Sequence, residues 1–213
     1  MTKAIIFDLD SCLSAADEVG RELYEPAFDA IRKANRGTVP ESELAAAFEE
    51  AWRIPFDVIA KTHGFSNAMF EAGWNMFKQV AVTTPMRGYG DLETLKQLPQ
   101  AKFLVTSGFR RLQESKVEML GIRPLFVEVL IDAIDEPDRV HKEGFFKRIL
   151  ESHRLLPYEV IVVGDNPNSE IAAGNRLGMP TVQILRPGVT KDERVWFHIR
   201  GLKELPSVLA TGD

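Results

Sequence analysis

Acidic side chains follow two short apolar segments of the sequence, one near its beginning and one in its last third. Asp8 and Asp10 come directly after the apolar residues 4–7, and Asp165 comes just after the apolar residues 160–163. Short apolar runs rich in Val and Ile are typical of buried strands. Because ligands of open parallel sheets bind beyond the carboxyl ends of the strands, we expect the three carboxylates to lie close together. Carboxylate oxygens are ligands that Mg²⁺ accepts readily.

Groups that can bind phosphate also stand at the end of a predicted strand. Thr106, Ser107 and Gly108 follow a third apolar run, as Asp8 and Asp165 follow the other two. Lys142 begins a predicted helix that leads into the strand before Asp165. A threonine hydroxyl, backbone amides and a lysine ammonium can all hold phosphoryl oxygens. A carboxylate can attack phosphorus and form an acyl phosphate, and Mg²⁺ offsets the repulsion between these two anions. The residue types and their spacing therefore predict a site that cleaves a phosphate ester.

The aspartates have separate predicted roles in such a reaction. Asp8 is the predicted nucleophile. Asp10, two residues further on, is placed to protonate the leaving oxygen and later to deprotonate the attacking water. Asp8 and Asp165 are predicted to bind Mg²⁺ together with a phosphate oxygen. Lys142 is predicted to add a positive charge next to the phosphoryl oxygens.

The first two of these segments resemble motifs of the haloacid dehalogenase (HAD) superfamily of phosphohydrolases. The first motif of that family, Asp-x-Asp-x-Thr after a strand, matches residues 8–12 except that Cys12 stands where threonine is usual. The second motif, a Thr or Ser at the end of a strand, matches Thr106 with Ser107 and Gly108. A thiol can occupy the space of a hydroxyl but is a weaker hydrogen-bond donor, so we expect Cys12 to hold the turn less firmly.

The other segments resemble the third and fourth motifs of the same family. Lys142 matches the lysine of the third motif, without the proline that often follows it. Gly164-Asp165 matches the fourth motif, with Glu170 where the family more commonly has Asp. Because Glu170 keeps the charge on a longer arm, we expect it behind the metal ligands, where it reaches the metal through water or orients Lys142. Four motifs in the family's order are a much more specific signal than any one alone.

The resemblance covers nearly the whole chain and implies aspartyl-phosphate chemistry that depends on Mg²⁺. The Mg²⁺ ligands that it implies are Asp8, Asp165 and the backbone carbonyl of Asp10. It also implies that the substrate is a small phosphorylated metabolite, chosen largely by a helical cap domain of the C1 type.

The order of the predicted elements supports this architecture. Five strands are predicted, and from Thr84 onward strands and helices alternate, which predicts a doubly wound, Rossmann-like α/β core with a parallel sheet. The segment before Thr84 has no predicted strand after the first and is best explained as an inserted, all-helical module. We therefore assign residues 1–14 and 85–213 to the core and residues 15–84 to the helical cap. The aromatic side chains of residues 67–80 are predicted to pack between helices.

Composition and charge narrow the class of protein. The 213-residue chain is 45% hydrophobic and 27% charged, which is typical of a globular protein. Its formal net charge of −5 argues against a nucleic-acid polymer as a partner. Cys12 is the lone cysteine, and neither a signal peptide nor a membrane span is predicted, so we expect a cytoplasmic protein without a membrane partner. The sequence indicates no oligomeric state.

Two other functions stay open at this point. A phosphomutase of the same superfamily would use the same motifs but return the phosphoryl group to its substrate, and nothing in the predicted cap marks this. A weakly active or non-catalytic binding protein derived from such an enzyme would explain the departures at Cys12 and Glu170. For a phosphatase, residues 108–113, with the pattern Gly-Phe-x-x-Leu-Gln, are similar to nucleotidase-like members of the family and favour a 5′-nucleotide substrate.

Overall fold

The structure, a computed structural model that describes residues 1–211, is built around one parallel sheet. Its six strands within those residues are β1 (Ala4–Phe7), β2 (Ala101–Gly108), β3 (Glu128–Ala133), β4 (Val160–Gly164), β5 (Thr181–Ile184) and β6 (Phe197–Ile199). They pair in the order β3-β2-β1-β4-β5-β6, and every neighbouring pair is parallel. The strand order reverses at β1, so a crevice opens at its carboxyl end, where doubly wound folds bind ligands. The predicted Rossmann-like α/β class is confirmed.

Helices cover both faces of the sheet. Over the part of the chain described, they are α1 (Glu25–Ala34), α2 (Glu41–Glu50), α3 (Phe56–Thr62), α4 (Asn67–Phe77), α5 (Thr94–Gln97), α6 (Arg110–Met119), α7 (His141–Ser152), α8 (Glu170–Arg176) and α9 (Leu205–Thr211). None of these helices is both long and apolar enough to cross a membrane. Because successive strand residues point to opposite faces, Ile5 and Phe7 pack among α5, α6 and α9, whereas Ala4 and Ile6 pack among α7 and α8.

Helices α1 to α4 lie between β1 and β2 in the chain and share an apolar cluster of their own. Helix α4 begins where the Ser66 hydroxyl accepts a hydrogen bond from the Met69 amide (3.3 Å), which is a typical N-cap. The cluster reaches the sheet at Phe109, just before α6. The Phe109 ring stacks on Phe77 with centroids 5.6 Å apart and meets Trp74 edge-on at 5.1 Å. The aromatic side chains of α4 therefore pack between helices, as their spacing predicts.

Two strands differ from the sequence prediction. β6 is a sixth strand where five are predicted, because its three residues are too few to show a periodicity and it lies at the edge of the sheet, paired with β5. β2 runs on through Ser107 and Gly108, which still pair with β3. The pairing of β2 with β1 ends earlier, at Leu104 and Phe7, so the last residues of β2 project past β1.

Candidate active site

The turn after β1 places Asp8 and Asp10 at the crevice. The Asp8 amide donates to the Val163 carbonyl (3.0 Å), which ties the start of the turn to β4. The turn closes where the Leu13 amide donates to the Leu9 carbonyl (2.8 Å). The Asp8 side chain is buried, whereas Asp10 lies further out and is partly exposed.

Lys142 lies in the first turn of α7 and connects two carboxylates. Its Nζ donates to Oδ1 of Asp8 (2.6 Å) and to Oε2 of Glu170 (2.8 Å). All three side chains are buried, with exposed fractions of 8% or less. The other oxygen of Glu170 accepts a hydrogen bond from the Asn166 amide (2.6 Å). Glu170 is therefore fixed at both oxygens and can orient Lys142 towards Asp8, one of the two positions expected for it.

The structure accommodates both departures from the family motifs. The Cys12 side chain is fully buried, and its Sγ lies 3.7 Å from the Val163 carbonyl, the same residue that receives the Asp8 amide. Glu170 lies directly against the backbone of Gly164, where a Cβ atom would come within 2.3 Å of its side chain. Glycine at this position thus leaves the room that the longer acid needs.

One carboxylate oxygen from each of Asp8, Asp165 and Glu170 lies within 4.8 Å of the others. Burial raises the pKa of Asp8 to about 7 and that of Asp165 to about 8, and the negative charge of Glu170 adds to the effect at each. Burial would lower the pKa of Lys142, but Asp8 and Glu170 outweigh it, and the pKa of Lys142 is raised. One ammonium is therefore surrounded by more negative charge than it can balance.

This donor set fits a divalent cation. Three carboxylates converge on one point, and oxygen donors of this kind are the ligands of Mg²⁺. A cation beside Asp8 and Asp165 would favour their charged forms, against the burial and the repulsion that raise the pKa of both groups. Glu170 belongs to the same cluster, but its two oxygens already accept hydrogen bonds from Lys142 and the Asn166 amide.

The Asp10 carboxylate contacts α6 through both of its oxygens. Oδ1 accepts from Nζ of Lys116 (2.8 Å), and Oδ2 accepts from Nε2 of Gln113 (3.1 Å). Both donors are buried. Neither Lys116 nor Gln113 is among the site residues predicted from the sequence, and their helical spacing of three is the signal that pairs them.

The predicted phosphate-binding residues Thr106, Ser107 and Gly108 form the end of β2 that projects past β1. The Thr106 hydroxyl donates to Oε1 of Gln113 (3.4 Å), and the Ser107 hydroxyl donates to Oδ2 of Asp132 (2.9 Å). At Gly108 (φ +153°) a Cβ atom would come within 2.6 Å of the side-chain nitrogen of Gln113. Glycine at this position therefore leaves room for the Gln113 side chain. Gln113 thus links this strand end to Asp10.

A third missed residue, Arg139, holds the segment that leads into α7. Its guanidinium donates to both carboxylate oxygens of Asp132 (2.8 Å each) and contacts Asp57 of α3 (3.4 Å). Two-fold pairing of this kind is directional, because the planar guanidinium matches the carboxylate. Arg139 therefore fixes the approach to Lys142 and ties it to the helices between β1 and β2.

A cavity of about 840 Å³ brings the predicted site residues together. All eight of them line it: Asp8, Asp10, Thr106, Ser107, Gly108, Lys142, Asp165 and Glu170. The cavity is also lined by the segment between α2 and α3, which includes Trp52 and Arg53. Arg53 reaches back to the core, where it donates to the carbonyls of Gly188 (2.9 Å) and Pro187 (3.3 Å). Both the sheet edge and residues 51–56, together with Phe77 of α4, therefore line the space in front of Asp8.

The sequence matches a family model and two named proteins along most of its length. Residues 2–178 match the family model of the haloacid dehalogenase-like hydrolases. A protein of Methanocaldococcus jannaschii named glyceraldehyde 3-phosphate phosphatase is 27% identical over 232 residues, covering 98% of this chain and 97% of that protein. A protein of the same name from Methanopyrus kandleri is 29% identical over 205 residues, covering 87% of this chain and 85% of that protein.

The fold agrees with this match. The crystal structure of a HAD phosphatase from Thermococcus onnurineus has a TM-score of 0.67 with this chain at 21% identity, and covers 98% of each. At that identity the likeness shows the fold alone. Because the family model matches well over half of the sequence, the chain belongs to the haloacid dehalogenase-like hydrolase family. The resemblance drawn from the four motifs is thereby confirmed.

Proposed function

We propose that this protein is a Mg²⁺-dependent phosphatase that hydrolyses a small phosphate monoester through an aspartyl phosphate on Asp8. The observation that carries the proposal is the arrangement around Asp8, whose carboxylate lies 2.6 Å from Lys142 and clusters with Asp165 and Glu170. The phosphatase names of the two archaeal relatives, which match this chain over most of its length, support the same reaction.

The proposed reaction uses the chain's own groups in two steps. Asp8 attacks the phosphorus while the ester oxygen leaves, and Asp10 gives that oxygen a proton. Water then attacks the aspartyl phosphate, and Asp10 takes up the proton, which restores Asp8 and releases inorganic phosphate. Lys142 and the end of β2, Thr106 to Gly108, hold the phosphoryl oxygens in both steps.

Mg²⁺, when bound, would supply positive charge that offsets the repulsion between the phosphate and the carboxylates. Asp8, Asp165 and the backbone carbonyl of Asp10 would hold it. The contacts of Glu170 with Lys142 and Asn166 support a role for Glu170 in orienting the lysine.

We further propose that residues 15–84, with helices α1 to α4, act as a C1-type cap over a core of residues 1–14 and 85–213. The cavity supports this division, because its walls come from both parts. The names of the relatives make glyceraldehyde 3-phosphate the first substrate to test. The pattern in residues 108–113 that suggested a nucleotide has a local explanation, since Gly108 makes room for Gln113. The single buried cysteine supports a cytoplasmic location.

The test is a steady-state assay of phosphate release. The purified protein is given glyceraldehyde 3-phosphate, 2-phosphoglycolate, nucleoside 5′-monophosphates and 4-nitrophenyl phosphate, each with Mg²⁺ and with a chelator. We expect turnover that requires Mg²⁺ and is highest on a small phosphorylated metabolite. No phosphate release from any ester would contradict the proposal and favour a binding protein, whereas transfer of phosphate between positions of a sugar would favour a phosphomutase.

A further inference from the structure

Lys116 is a buried lysine outside the family motifs. Its side chain is only 3% exposed, although lysines are almost always at the surface unless they are paired. Its Nζ donates to Oδ1 of Asp10 at 2.8 Å. Since burying an ammonium is costly without a partner, the contact with Asp10 compensates for the burial of Lys116.

The surroundings of Lys116 connect it to the reacting groups rather than to the surface. Lys116 and Gln113 are three residues apart on α6, so they lie on the same face of the helix, and each holds one oxygen of Asp10. All three side chains line the cavity in front of Asp8. The Asp10 carboxylate is therefore clamped from one side, while its partly exposed side faces the cavity.

We propose that Lys116 is a positioning residue that holds the Asp10 carboxyl group in line with the oxygen that leaves the substrate. The inference rests on the proposed phosphatase function, in which Asp10 transfers the proton. A group that transfers a proton must lie within hydrogen-bond reach of the oxygen it serves. A misplacement of about 1 Å at a reacting group can cost about 10²-fold in rate. Without Lys116, the Asp10 side chain would keep one of its two contacts and could turn towards solvent.

The leaving group distinguishes this role from a purely structural one. An alkyl alkoxide leaves poorly unless its oxygen is protonated, whereas a 4-nitrophenolate leaves readily as an anion. A misplaced Asp10 therefore slows cleavage of an alkyl phosphate and spares cleavage of 4-nitrophenyl phosphate. General damage to the fold or to phosphate binding would slow both. The ratio kcat/KM is the right measure, because it covers the steps up to departure of the leaving group.

The experiment compares Lys116→Met with the unmodified protein on glyceraldehyde 3-phosphate and 4-nitrophenyl phosphate. We expect kcat/KM to fall about 10²-fold on the alkyl ester and less than about threefold on the aryl ester. Asp10→Asn should show the same difference between the esters. The double variant should lose no more on the alkyl ester than Asp10→Asn alone, because the two residues act as one unit.

A matched control is Lys102→Met. Lys102 is a partly buried lysine at the start of β2, the opposite end of the sheet, and it donates to the carbonyls of Leu98 (2.8 Å) and Gln100 (3.0 Å). Its substitution should leave both kcat/KM values unchanged. Circular dichroism and thermal melting check that each variant folds. If Lys116→Met does not fold, Lys116→Gln keeps a donor near Asp10 and should show the same selective loss at a smaller size.

The outcomes separate this inference from the function on which it rests. If the unmodified protein hydrolyses both esters but the Lys116 variants lose equally on both, or on neither, Lys116 does not position Asp10. A further loss in the double variant beyond that of Asp10→Asn also contradicts the inference. If the unmodified protein hydrolyses neither ester in the presence of Mg²⁺, the phosphatase function fails and the role of Lys116 fails with it.

Discussion

Asp8 and Asp10 leave the same turn two residues apart, yet their carboxylates lie in different electrostatic surroundings. Asp8 shares one ammonium, that of Lys142, with Glu170. Asp10 has an ammonium of its own, that of Lys116. The first group is short of positive charge, and the second is balanced.

The difference shows how neighbours assign roles to identical side chains. Burial and repulsion raise the pKa of Asp8 and Asp165, so this side of the turn is complete only with a further cation. With a cation bound, such a site allows the Asp8 carboxylate to approach a phosphate although both groups are negatively charged. The ion pair between Asp10 and Lys116 needs no further cation. Two hydrogen bonds, from Lys116 and Gln113, fix the orientation of the Asp10 carboxyl group that would transfer the proton.

The largest effect is expected for Asp8→Asn, which removes the proposed nucleophile and keeps the shape of the side chain. Turnover should fall by about 10⁴-fold or more, the scale expected when a nucleophile is lost. Because the folded state raises the pKa of Asp8 to about 7, it already favours an uncharged group there, and the melting temperature without Mg²⁺ should not fall. Steady-state assays and calorimetry test the two parts. Equal loss of activity and of folding would mean that Asp8 has a structural role.

A smaller effect is expected for Glu170→Gln, which keeps the size of the side chain but removes the charge that holds Lys142. Activity or Mg²⁺ affinity should fall about 10–100-fold, as is typical for residues that orient ligands. A titration of activity against Mg²⁺ concentration measures both. Unchanged activity at every Mg²⁺ concentration would show that Asp8 alone orients Lys142.

Mg²⁺ should stabilise the fold more at alkaline than at acidic pH. The pKa values of Asp8 and Asp165 are raised from the ordinary 3.8 to about 7 and about 8, so without metal their contribution to stability is lost as the pH rises from the ordinary value through the raised ones. Mg²⁺ binds the charged forms, and at about 100 times its Kd it would add about 2.7 kcal/mol. Melting temperatures at about pH 5.5 and about pH 8, with and without Mg²⁺, measure this. A shift that is equal at both pH values, or that survives Asp165→Asn, would contradict the proposed metal site.

The smallest effect concerns His63, a histidine that contacts two carboxylates outside the site. Its ring nitrogens lie 2.9 Å from Glu50 and 2.6 Å from Glu43, and the hydrogen bond with Glu50 makes the largest contribution to a raised pKa of His63. Because the pKa of His63 is raised, its protonated form stabilises the fold at pH values below the ordinary histidine pKa. This stability is lost as the pH rises through the pKa of the folded state. His63→Gln should therefore cost about 1 kcal/mol or less near pH 5.5, and less near pH 9.

The matching readout for His63 is activity, which should not change in His63→Gln. A loss of turnover in His63→Gln would show that His63 contributes to activity, and it would contradict the placement of His63 outside the site. A destabilisation that grows as the pH rises would show that the ion pairs with Glu43 and Glu50 do not contribute.

Most of the sheet and the acidic side of the site follow from local sequence. The apolar runs before Asp8 and Asp165 predict β1 and β4, and parallel strands bring their carboxyl ends together. The contacts of Asp10 do not follow in this way. Helix α6 carries several polar residues, and the sequence does not tell which of them faces the core, so Lys116 looks like an ordinary surface lysine.

The edge of the sheet and the loop before α7 were equally hard to predict. β6 has three residues and leaves no periodic pattern. Arg139 contacts Asp132 and Asp57, which are distant in the sequence from each other, and only the folded chain brings these three together. Apart from this short edge strand, the features that the sequence does not predict are set by long-range contacts of single polar side chains.

The most direct test of the account is to look for the phosphoryl group on Asp8. The protein is mixed with Mg²⁺ and glyceraldehyde 3-phosphate, or the best ester from the assay, and quenched with acid during turnover. Mass spectrometry of the peptides then finds any residue that carries the mass of one phosphoryl group. We expect this mass on Asp8, and none in Asp8→Asn. Steady hydrolysis with the group on another residue, or undiminished turnover in Asp8→Asn, would contradict it.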